Sequence, residues 1–148
     1  GDHLGDAVEL ARRMDATLVS IYEVAQYASS RGAGKVVGMN IGGVAEVEGV
    51  QVVMTPALHS SSRGAPAGFI VSAGGESVYH AGDTGFFSDI SAYAELYPVD
   101  VALLPIGGVY TMDPRQAARF YLWDLRAYPK KTWRRWTSDS MWSGSIET

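Results

Sequence analysis

The stretch Ser77-Val78-Tyr79-His80-Ala81-Gly82-Asp83-Thr84-Gly85 runs an apolar strand directly into a turn of small residues around one carboxylate. Val78 and Tyr79 suit a pleated, half-buried surface. Gly82 and Gly85 let backbone approach closely, as a carboxylate shared between two cations requires. An Asp-Thr turn closed by its own side-chain hydrogen bonds uses the same residues. Gly-Asp-Thr-Gly also suits half of an aspartic-protease site, but no second such motif occurs and the chain is not β-rich enough for that fold.

Working outward, Gly74-Gly75 separates residues 69–72 from 77–80 and predicts a hairpin. Glu48-Gly49 predicts another between residues 44–47 and 50–55. Further upstream, residues 17–20 and 35–38 are expected strands. Between them, residues 21–30 form an expected helix, stopped by Arg31-Gly32-Ala33-Gly34. Gly5 or Asp6 can open a first helix, with Leu4, Val8 and Ala11 on one face and Leu10 and Met14 beside it. Downstream, residues 101–106 (Val-Ala-Leu-Leu-Pro-Ile) are continuously apolar, the pattern of a strand covered on both faces. Asp113-Pro114-Arg115-Gln116 starts a helix with an aspartate cap, proline in the first turn and glutamine three residues after the cap. Short strands, glycine turns and amphipathic helices in alternation give an α/β class. Residues 1–126 are expected to form one domain.

The last stretch differs. All four tryptophans lie at or after Trp123. Residues 130–138 (Lys-Lys-Thr-Trp-Arg-Arg-Trp-Thr-Ser) have neither helical nor strand period. Residues 127–148 are therefore expected to be a poorly ordered tail rather than a membrane- or RNA-binding surface.

The net charge of −4 implies no basic surface for a nucleic acid backbone. The absence of cysteine removes disulfides, zinc fingers and a cysteine nucleophile. No apolar run approaches the ~18–20 residues of a membrane span, and no signal peptide is visible. The expectation is a cytoplasmic protein with a small-molecule substrate and neither a nucleic-acid nor a membrane partner.

Three histidines, His3, His59 and His80, each sit on a short island, and two islands add an aspartate, Asp2 and Asp83. Imidazole and carboxylate are ligands for a divalent metal of zinc type. The islands lie far apart, so any site is assembled by the fold. Taken singly, Asp2-His3 also reads as a helix cap beside a surface histidine, and His59 as a surface histidine past a strand end. Ser60 lacks the G-x-S-x-G context of a nucleophile.

In their order and spacing the islands resemble the metallo-β-lactamase superfamily, in its branch of metal-dependent hydrolases near the ascorbate-6-phosphate lactonase-like proteins. The likeness includes Val37-Gly38-Met39-Asn40-Ile41-Gly42-Gly43 and Leu103-Leu104-Pro105-Ile106-Gly107-Gly108, followed by Thr111-Met112-Asp113-Pro114. The resemblance implies a partial αβ/βα four-layer sandwich with its site at the rim between two sheets. It implies a dinuclear metal centre, zinc with manganese or iron as alternatives. Asp2 and His3 would serve the second metal, His59 the first, and Asp83 would bridge both. His80 would stand next to the site, orienting ligands or substrate.

The family's two leading histidines would precede Gly1, and its terminal histidine has no counterpart in the tail, as a shifted reading frame would explain. The implied activity is attack of a metal-activated water on an ester, lactone or phosphoester, impaired in a chain that lacks these ligands. A non-catalytic remnant or binding module with the same fold is the alternative. An uncovered sheet edge would favour pairing into a homo-oligomer.

Overall fold

A computed structural model describes residues 3–121, together with the backbone of residues 135–137 and 140–142. Helix α1 (Ala7–Met14) leads into strand β1 (Thr17–Ile21), helix α2 (Tyr22–Ser30) and strand β2 (Lys35–Met39). β1 and β2 pair in parallel from Thr17↔Lys35 to Ile21↔Met39, so α2 is the crossover of a βαβ unit. The helix can lie close to its strands because its inward residues Ala25 and Ala28 are small and fully buried. Gly38 continues that fit: a Cβ there would meet the Tyr22 ring at 3.2 Å and its Cα at 3.3 Å.

A five-stranded sheet follows, in the order β3 (Val44–Val47), β4 (Val50–Pro56), β5 (Ala67–Ala73), β6 (Glu76–His80), β7 (Val101–Leu103). The first four strands are an antiparallel meander, and β7 joins β6 in parallel. Both expected hairpin turns form. Glu48 and Gly49 have φ of 54° and 80°, and Gly74 and Gly75 have 61° and 84°. Two successive positive φ values are the condition of a turn that follows the strands' right-handed twist. Helix α3 (Ile90–Leu96) spans the β6–β7 crossover, and α4 (Pro114–Phe120) follows β7. Asp113 accepts from the Gln116 amide at 2.7 Å, while the Gln116 side chain accepts from the Asp113 amide at 2.9 Å, closing the expected capping box.

Alternation along the strands builds three cores, hence four layers. Leu18 and Val36 turn outward to pack with Val8 and Ala11 of α1 and Ala28 of α2. Their neighbours Val19 and Val37 turn inward with Ile21 and Met39, meeting Val52, Met54 and Phe69 of the larger sheet. Val53 and Ile70 point to that sheet's other face, where α3 and α4 cover them with Ile90, Ala94, Ala117 and Phe120. Fully buried side chains of this size stabilise the fold by about 1.5–3 kcal/mol each. The resulting αβ/βα layering is the expected one.

Two expectations are corrected. The apolar run at residues 101–106 contributes only three residues to β7, which among the described residues is an edge strand, with Val101 and Leu103 half-buried and Ala102 buried. Pro105 explains the early end, since it has no N–H for the ladder. Leu4 precedes α1 in a turn whose carbonyl accepts the Ala7 amide at 2.9 Å, so it is not on the helix face. The expected poorly ordered tail, residues 127–148, lies outside the described residues except for β8 (Arg135–Thr137) and β9 (Ser140–Trp142), which pair antiparallel. Trp136, Thr137 and Trp142 are β-favouring types, and local pairing needs no long apolar period. No helix among the described residues is long and apolar enough to cross a membrane.

Candidate metal centre

Two loops leave the same end of the larger sheet, from the strands on either side of β5. The first follows β4 and carries His59; the second follows β6 and carries Asp83. They are joined by direct bonds. The Leu58 amide donates to the Thr84 hydroxyl at 2.9 Å, and the Gly85 amide donates to the Leu58 carbonyl at 2.9 Å. Thr84 is fully buried, and its hydroxyl donates onward to the Gly85 carbonyl at 2.8 Å. A third loop, after β7, is attached to the same residue through the Met112 amide, 2.9 Å from the Thr84 carbonyl. That loop turns sharply at Gly108 and Val109, with φ of 67° and 46°. The second value is strained for a β-branched residue.

The far side of the His59 loop is fastened to α2. The Arg63 guanidinium lies 4.6 Å from the centre of the Tyr27 ring, and Arg31 lies 5.1 Å from the same ring. Gly64, with φ 65°, passes so close to β1 that a Cβ would come within 2.7 Å of Ile21 Cγ2.

The histidines can now be placed. His3 Nε2 is 2.9 Å from Asp83 Oδ2, a contact between positions 80 apart in the chain, with both side chains substantially exposed. His59 Nδ1 is 2.9 Å from the Ser60 carbonyl. A carbonyl only accepts, so His59 carries its proton on Nδ1 and, when neutral, presents a free lone pair at Nε2. His80 Nδ1 accepts from the Gly82 amide at 3.0 Å, so its neutral ring carries the proton on Nε2. His80 thus braces the turn that holds Asp83, while its ring stays exposed.

Of the residues expected at the site, the structure brings His3 and Asp83 into contact and ties the His59 loop to the Asp83 loop. Asp2 lies outside the described residues. Among the described residues, no three histidine, aspartate or glutamate side chains are grouped to hold a metal ion. The His3–Asp83 pair fits a cation in donor type, one imidazole nitrogen and one carboxylate oxygen. It also fits in spacing, since two ligands at about 2.0–2.2 Å from one ion stand roughly 3 Å apart. Motif reading assigns Thr84 only to its own turn. Its wider role depends on the partner Leu58, 26 positions away, which no local pattern reveals.

Beneath these loops, Tyr79 and Thr55 are fully buried, and among the described residues neither hydroxyl reaches a partner within hydrogen-bond geometry. Burial pushes the Tyr79 phenol well above its usual value, and the Thr55 hydroxyl beside it acts weakly in the opposite direction.

The profile of the β-lactamase superfamily domain matches residues 1–127. A protein of Thermofilum pendens named UPF0173 metal-dependent hydrolase is 56% identical over 119 residues, spanning 80% of this chain and 52% of that protein. Its namesake in Caldivirga maquilingensis is 53% identical over 119 residues, spanning 79% and 52%. Among solved structures, Igni18, a metallo hydrolase of Ignicoccus hospitalis, superposes with a TM-score of 0.71 at 47% identity, covering 78% of this chain and 52% of that one. The chain spans about half the length of the curated relatives it matches. Four layers, a loop-borne aspartate bonded to a histidine, and these matches agree: the chain belongs to the metallo-β-lactamase superfamily.

Proposed function

We propose that this chain carries part of the reaction side of a metal-dependent hydrolase acting on an ester, lactone or phosphoester of a small molecule. The observation that carries the reading is the 2.9 Å contact between His3 Nε2 and Asp83 Oδ2 in a chain of this family. His3 and Asp83, with Asp2 and His59, are the residues that would hold divalent metal, zinc or else manganese or iron, with Asp83 shared in a dinuclear centre. Bound there, the metal would supply Lewis acidity and an activated water near neutral pH.

The chain's own groups have separate tasks. In the metal-free state the Asp83 carboxylate accepts the His3 Nε2 proton, and to hold a metal that nitrogen would have to present its lone pair instead. The Nδ1 proton of His59 is held by the Ser60 carbonyl, which leaves Nε2 as the donor to metal. His80 is held by the Gly82 amide and offers its Nε2 proton outward, where it orients a substrate oxygen. Residues 1–126 form the domain in which this chemistry resides, and residues 127–148 take no part in it.

A second reading, a binding module that keeps the layers without the chemistry, is favoured by the lack of a group of three ligating side chains among the described residues. Elemental analysis of the dialysed 148-residue chain, beside His59→Ala and Asp83→Asn, separates the two. Stoichiometric metal that both variants lose is the expected result. A wild-type chain with no metal, or variants that keep it, refutes the hydrolase site and leaves the binding module.

A further inference from the structure

Thr84 has no titratable group and touches no expected ligand side chain, yet it joins three loops. Its hydroxyl takes the Leu58 amide at 2.9 Å and gives its own proton to the Gly85 carbonyl at 2.8 Å. Its carbonyl takes the Met112 amide at 2.9 Å. The Gly85 amide returns to the Leu58 carbonyl at 2.9 Å, so both backbone groups of Leu58 are held by the segment that follows Asp83. His59 is the next residue after Leu58, and Asp83 the one before Thr84. The Leu58–His59 and Thr84–Gly85 peptide planes are therefore bonded to each other, the first adjoining His59 and the second lying one residue past Asp83. Thr84 is fully buried, so water does not compete for these bonds.

We propose that Thr84 is a positioning residue, whose hydroxyl sets the His59 loop against the Asp83 loop. The bonding pattern needs one oxygen that both accepts and donates, which a serine or threonine hydroxyl provides and a methyl does not. The methyl group of Thr84 fills buried space, so valine keeps the packing and removes only the hydroxyl. Serine keeps the hydroxyl and removes only the methyl. This inference deepens the metal-site reading and rests on it for one of the two readouts below.

The first readout uses the metal-free 148-residue chain. Thr84→Val is expected to speed exchange of the Leu58 amide about tenfold or more. It is also expected to move the His59 ring nitrogen signals, while amides of β1 and β2 keep their protection. Thr84→Ser is expected to restore both. Unchanged exchange and ring signals in Thr84→Val overturn the proposal. So does a Thr84→Ser chain as perturbed as Thr84→Val, because packing would then be the cause. The second readout is Co²⁺ titration followed by visible absorption, in which Thr84→Val binds about tenfold more weakly and Thr84→Ser binds as wild type does. A wild-type chain that takes up no Co²⁺ refutes the metal-site reading alone, and the metal-free readout still decides the role of Thr84.

Discussion

Replacing Tyr79 by phenylalanine removes one buried oxygen and nothing else. The ring lies nearly parallel to Phe120, with centroids 6.3 Å apart and planes 12° apart, and Phe120 also receives the edges of Phe86 and Phe87. All of this packing survives the substitution. Among the described residues only the Thr55 hydroxyl lies beside it, outside good hydrogen-bond geometry, and leaving such a group unpaired when buried costs about 1–3 kcal/mol. Tyr79→Phe is therefore expected to hold or raise stability at pH 7, by about 1 kcal/mol, where loss of a buried ring to alanine costs about 3–5 kcal/mol.

Alkaline pH sharpens the test. The folded chain keeps the Tyr79 proton well above the usual phenol range, because burial penalises the phenolate. The unfolded chain gives it up near pH 10. The native state then binds more protons, so this residue's contribution to stability is intact below about pH 10 and falls above it by up to about 1.36 kcal/mol per pH unit. Phenylalanine has no such slope, and other groups cancel in the difference between the two proteins. Urea unfolding at pH 7 and at pH 10.5–11, with equal m values, should show Tyr79→Phe gaining on wild type as pH rises. A variant weaker than wild type by more than about 1 kcal/mol at pH 7 would show that the hydroxyl is hydrogen-bonded, and the reasoning would fail. Thr55→Val in the same background identifies the partner in that event. Coupling of about 0.5 kcal/mol or more between the two substitutions would mean that the hydroxyls bond to each other, while additivity would leave both as orphans.

Two further outcomes follow from backbone geometry. A Cβ on Gly68 would stand 2.7 Å from Thr55 Oγ1, 2.9 Å from the His80 carbonyl and 3.0 Å from the Ala81 carbonyl; two of these are backbone, so Gly68→Ala should destabilise by about 1–3 kcal/mol and weaken metal binding, and a stability equal to wild type in urea would refute the close approach. Glu48 holds φ 54° at the first position of the β3–β4 turn, so Glu48→Asn should raise the urea midpoint by the equivalent of about 0.5–1 kcal/mol, and a loss of stability would show that its contact with Thr17 at 3.2 Å matters more than the backbone.

Most of the layering is legible in the sequence because it depends on local rules. Glu48-Gly49 and Gly74-Gly75 announce their turns, and the Asp113 capping box is written in consecutive residues. The alternation of Leu18 with Val19, and of Val36 with Val37, feeds opposite cores from one strand. Where a local rule competes with another, the apolar pattern misleads. Residues 101–106 look like a buried strand, but a proline interrupts the run, so the missing donor and not the hydrophobicity sets the end of β7.

The site is legible only by residue type. Histidine and aspartate announce ligand chemistry, but the sequence contains no information on which imidazole nitrogen is free. That is decided by backbone partners: the Ser60 carbonyl for His59 and the Gly82 amide for His80. The two rings consequently differ in kind, one presenting a lone pair at Nε2 and the other a proton. Thr84 fastens the His59 loop through the Leu58 amide, one residue before that histidine. Chemical identity at this site thus comes from side chains, while the tautomer of each ring comes from the main-chain group it faces.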